Sequence, residues 1–163
     1  MSFEDDAMSE LAAAILSIDG PHIDISCPDK LREQEMPLNA YFNEPPENFP
    51  IVLLYIDGEI SELVANDRFE ISVNVDISII YKIDPGIEKK SDGLERGRRC
   101  LQQFVRRLLE RQTSGEALVP LYLSGGVEIQ ATDDRGIDHK KTDLANGTAA
   151  ARFTLRQIQS EEN

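Results

Sequence analysis

Apolar and polar residues alternate along the middle of the chain. Phe69, Ile71, Val73, Val75, Ile77 and Ile79 fall on one side, and Glu70, Ser72, Asn74, Asp76 and Ser78 on the other. Because successive strand side chains point to opposite faces, this period of two predicts a strand from Arg68 to Tyr81 with one buried and one polar face. Asp84-Pro85-Gly86 predicts a turn, since proline fixes φ and glycine permits positive φ. The period then changes. Leu94, Leu101, Phe104, Val105 and Leu108 share one helical arc, bordered by Cys100 and Leu109. Arg96, Arg99, Arg106 and Arg107 lie on the opposite arc, with Glu95 and Glu110 among them. This predicts a helix to Gln112, capped by Ser91 or Asp92, lying on the sheet with its charged face outward.

The flanking segments read less sharply. Phe3, Ala7, Met8, Leu11, Ile15 and Leu16 recur at helical spacing, Ser2 and Asp5 stand at weak capping-box positions, and Gly20-Pro21 forms a stop. These predict a helix from Phe3 to Ser17. His22 to Ser26 alternates like a short strand. Residues 28–50 carry five prolines and no sustained period, which predicts a long loop: either a binding or assembly segment or a disordered one. Ile51 to Ile56 is a continuous apolar run, read as a strand buried on both faces, with residues 57–67 as a wide connection to the next strand. Val127 to Thr132 and Ala149 to Ile158 alternate and predict a closing hairpin with a polar connection at 133–148. The fold class that follows is α+β: a mixed, largely antiparallel sheet of four to five strands with two helices packed on it.

Composition adds bounds. A chain of 163 residues, 40% hydrophobic and 29% charged, fits a single domain over 1–163. Cys27 and Cys100 are distant and belong to no Cys-x-x-Cys, which points to a reducing compartment without a disulfide framework. The longest apolar runs, Leu11–Leu16 and Ile51–Ile56, fall far short of the ~20 residues that span a bilayer. The first residues are acidic where a signal peptide is basic. The expectation is a protein made and kept in the cytoplasm, or in something assembled there, with no membrane partner. The net charge of −13 resides entirely in residues 1–70, which hold 16 acids and 3 bases, whereas residues 71–163 hold 14 of each. An acidic half of this kind gives solubility, a surface past which DNA slides, or a face for a basic partner.

Catalytic signatures are missing. His22 and His139 permit no metal-ligand spacing. Asp133 to His139 clusters acids but departs from the calcium-loop order at Arg135 and Gly136. Ser124-Gly125-Gly126 has neither the phosphate-loop lysine nor the nucleophile-elbow order. Asp84 with Glu88-Lys89-Lys90 offers the elements of a magnesium nuclease, but within seven residues around one turn. No enzyme, cofactor or metal is expected. The six arginines at 96, 98, 99, 106, 107 and 111 suit phosphates, solvent or another protein. Interleaved glutamates and a lack of exposed aromatics favour the last two. Arg96, Arg99, Arg106 and Arg107 are the candidate subunit-interface residues, meeting the acidic first half of a neighbouring copy.

The order of elements resembles the tail-terminator proteins of tailed bacteriophages, of the Mu-like and lambda-like kinds. The resemblance lies in the short N-terminal helix, the Pro50-led strand Ile51–Ile56 and the alternating strand beginning Arg68-Phe69-Glu70-Ile71-Ser72-Val73. It continues through the helix Leu94–Gln112 and the closing strand Ala151-Arg152-Phe153-Thr154-Leu155. It implies a virion structural protein at the head–tail junction: a hexameric ring that caps the tail tube, stops its polymerisation and presents a surface to the neck or head-completion protein. DNA would pass through the ring without specific binding. The alternative is a small acidic interaction protein that mimics nucleic acid or inhibits a host factor.

Overall fold

The computed structural model describes residues 3–18, 23–25, 31–44, 46–134 and 145–160. Its elements are α1 (Phe3–Leu16), β1 (Leu31–Glu33), β2 (Ile51–Ala65), β3 (Arg68–Ile83), α2 (Lys90–Ser114), β4 (Tyr122–Asp134) and β5 (Ala145–Ser160), with two short 3₁₀ turns before β2. One five-stranded sheet has the order β1-β2-β3-β5-β4. Only β1 is parallel to its neighbour, so the sheet is mixed and largely antiparallel, with two helices on it. The fold is α+β.

β3 lies at the centre because its alternation supplies the core. Its odd-numbered residues from Ile71 to Ile83 are buried in the main cluster, under Leu101, Phe104 and Leu108 of α2 and Leu11, Ala14 and Ile15 of α1. The helix–sheet contact is closer than the leucine pattern implies. Gly93 and Gly97 are also buried on the inner face of α2. A methyl group at Gly97 would stand 2.3 Å from Tyr81 Oη, and one at Gly147 of β5 would stand 2.6 Å from Tyr81 Cζ. The Tyr81 ring therefore sits between two glycines, and its hydroxyl donates to Gly93 O at 2.9 Å. Burial pushes this phenol up to about 12. It pushes the fully buried Cys100 thiol up to about 12 as well.

Several expected boundaries move. The described part of 28–50 is more than a loop: β1 pairs with Val52–Leu54, and Tyr41 and Phe42 of the first 3₁₀ segment, with Phe49 just after the second, lie on the other sheet face; residues 28–30 and 45 lie outside the described ones. There they bury Ile51, Leu53 and Ile80, which explains why residues 51–54 are apolar without alternation. Arg32 is paired with Glu44, and this lowers the Glu44 carboxyl below its ordinary range, chiefly through their hydrogen bond. Residues 23–25 form no strand, although Ile23 and Ile25 are buried; residues 22 and 26 lie outside the described ones. The 57–67 connection is strand as far as Ala65, closed by a two-residue turn at Asn66-Asp67. Its period was obscured by a register shift at Gly58, whose φ of 69° suits glycine in a bulge. β4 and β5 extend to Asp134 and from Ala145, so the 133–148 connection is shorter than its polarity implies; residues 135–144 lie outside the described ones. α2 starts at Lys90 without a side-chain cap, because the Asp84 turn leads directly into it. Asp84 Oδ1 accepts from Gly86 N at 2.9 Å, and Asp84 O accepts from Ile87 N and Glu88 N at 3.0 Å.

Candidate functional site

Helical spacing places Arg96, Arg99, Arg106 and Arg107 together on the outside of α2, but the structure divides them. Arg96 turns inward. Its Nη2 donates to Glu88 Oε1 at 2.7 Å and to Lys82 O at 3.1 Å, and its guanidinium lies 5.1 Å from the Tyr81 ring centre. Its length allows it to fold back along the entry to the helix rather than extend into water. Arg107 donates to Ser17 Oγ and Glu110 Oε2, both at 3.1 Å, so it ties α2 to the end of α1. Both arginines are correctly placed on the helix yet engaged within the chain.

Arg99 and Arg106 do face outward. Arg99 is 61% exposed and only loosely held, with Nε 3.4 Å from Glu95 Oε1. Arg106 is exposed and makes no ion pair with a described residue. Arg98 joins them, half exposed, at 3.1 Å from Glu95. Such surface pairs are screened and contribute about 0–1 kcal/mol, so this stripe stays available to a partner. Leu109, 47% exposed, continues it toward the end of the helix.

The sixth arginine has a structural task that spacing alone did not reveal. Arg111 donates to both oxygens of Glu10, at 2.9 and 3.3 Å, and Leu118 N donates to Glu10 Oε2 at 2.8 Å. Glu10 is fully buried. This carboxylate joins α1, the end of α2 and the following loop, and the bond raises the Arg111 pKa. A glutamate on the apolar side of α1, next to Leu11, was the signal for a buried partner.

The acidic counterpart is the end of the β2–β3 hairpin. α2 packs chiefly over β4 and β5, and over β3, so the outer part of β2 lies beside its cover. Beyond Leu54 every β2 residue is exposed except the half-buried Ile56. This arm carries Asp57, Glu59 and Glu62, with Asp67 in its turn. None of the four forms an ion pair with a described residue. It also exposes Ile60, Leu63 and Val64, with Leu63 at 69%. Charges guard an edge strand against stray pairing, whereas the group of exposed apolar residues beside them marks a contact surface.

The sheet face opposite α2 is polar and largely open. Asp76 and Arg152 pair at 2.9 Å, while Glu70 lies 3.1 Å from Arg156 and accepts from Tyr122 Oη at 3.2 Å. A wide depression of about 520 Å³ runs between Met36, Tyr55, Asp76 and Arg152. It gathers no set of groups suited to acid–base or nucleophilic work. Glu88 of the nuclease candidate is held by Arg96, and Asp84 by its own turn. Among the described residues no cluster of His, Cys, Asp or Glu is fit to hold a metal, and no helix is long and apolar enough to cross a membrane. Of the calcium-like stretch, Asp133 and Asp134 end β4, and residues 135–139 lie outside the described ones.

No protein-family model matches the chain, and no curated protein matches it.

Proposed function

We propose that this chain is a virion structural protein: a tail terminator whose copies form a ring, hexameric by the resemblance, on the end of the tail tube. In this role the ring stops tube polymerisation and joins the tail to the neck or head-completion protein. The observation that carries the reading is the segregation of exposed charge. Exposed arginines stand on the outer face of α2, and unpaired acids with exposed apolar residues stand on the hairpin arm. Two unlike surfaces on one chain favour a head-to-tail contact, and such contacts close into rings when the rotation permits. The arrangement of helices over a mixed sheet agrees with the fold that the resemblance implies.

The experiment is native mass spectrometry of the purified chain, alone and with tail tube protein. The expected result is a closed oligomer, or one that forms on tube ends. A strict monomer that leaves tube ends free contradicts the proposal. The exposed acids of the arm give the acidic-mimic reading its one support, but they share the molecule with a basic stripe that a nucleic-acid mimic does not need. Displacement of DNA from a basic protein by the chain would favour that reading instead.

A further inference from the structure

We infer that the β2–β3 arm of one copy docks on the outer stripe of α2 of the next, with Asp57, Glu59 and Glu62 facing Arg98, Arg99 and Arg106. The inference rests on the head-to-tail reading above and narrows it to one pair of elements. Of the many acids in the first half of the chain, several are engaged at home: Glu10 by Arg111, Glu44 by Arg32 and Glu70 by Arg156. The arm acids have no such partners among the described residues, and they share their strand with exposed apolar residues. Of the arginines, 96, 107 and 111 are committed to contacts within the chain, leaving 98, 99 and 106 facing outward. No ion pair joins the two sets within one chain, so a second copy can match them. Leu109 on the stripe and Leu63 on the arm, both exposed, supply an apolar contact inside the charged one. Charges of this kind set register and partner choice, and the apolar contact holds what they select.

A charge-swap experiment tests this. Glu59→Arg with Glu62→Arg reverses the arm, and Arg99→Glu with Arg106→Glu reverses the stripe. All four side chains are solvent-exposed, so the variants retain the wild-type circular dichroism and melting profile. In sedimentation velocity each reversal alone weakens self-association by about tenfold or more. An equimolar mixture of the two reversed chains restores both junctions, reversed arm on reversed stripe and native arm on native stripe, and yields alternating oligomers at concentrations where each alone is monomeric. The inference is overturned if either reversal leaves the wild-type assembly unchanged, if the mixture fails to pair, or if wild type itself stays monomeric to millimolar concentration. An arm reversal that spares self-association and blocks binding to tube protein assigns the arm to the tube instead, and also overturns it. In that last case the terminator reading survives, since tube-end binding by wild type tests it separately.

Discussion

At the scale of single residues, two positions are under tight constraint, and neither belongs to the leucine pattern. The first is Gly97, against which the Tyr81 ring packs closely enough to exclude a methyl group. Gly97→Ala overpacks this contact and should destabilise by about 1–3 kcal/mol in urea denaturation, with the circular dichroism of the surviving native state unchanged. The second is Glu10. Replacing it by alanine leaves the Arg111 guanidinium, 12% exposed, without its carboxylate and strands the Leu118 N–H, a loss of about 3–5 kcal/mol. A pH effect belongs to Glu44. Its folded pKa is lowered, so its contribution is complete above its ordinary value of 4.5 and is lost as pH falls through the lower folded value. Melting curves of Glu44→Gln should therefore depend less on pH below about 4.5 than those of wild type.

At the scale of elements, stability and exposure separate along a single strand. Ile77 of β3 is fully buried at the centre of the sheet, and Ile77→Ala should cost about 2–5 kcal/mol. Leu63→Ser with Val64→Ser on the arm should change stability by within about 0.5 kcal/mol while reducing self-association in sedimentation. The sequence made the first of these regions legible and hid the second, for a physical reason. Alternation from Phe69 to Ile79 exists because one face of β3 is buried along that length. The end of β2 has water on both faces and a bulge at Gly58, so no period survives in it. Similarly, residues 38–43 and 46–48 show no period because they are short 3₁₀ turns; these and the following Phe49 contribute single aromatic anchors, Tyr41, Phe42 and Phe49. Helical spacing correctly separated the charged arc of α2 from its apolar arc. It did not indicate which arginines fold back, because that depends on Glu88, Ser17 and Glu10, each brought in by another part of the fold.

At the scale of the whole molecule, the fold makes one rigid sheet with an acidic arm beyond its helical cover and a basic stripe on that cover. Burying the apolar face of β3 draws α2 over β3, β5 and β4, which leaves the outer part of β2 beside that cover. The arm and the stripe are thus consequences of the same packing, and they give a chain with no assembled catalytic constellation among its described residues two unlike surfaces. The central claim is that copies of this chain join head to tail into a closed ring that sits on a tube end. Electron microscopy of the purified protein, alone and after addition of tail tube protein, tests it most directly. The account predicts rings with a central hole, seated singly at tube ends. Uniform single-copy particles and bare, still-growing tube ends would contradict it.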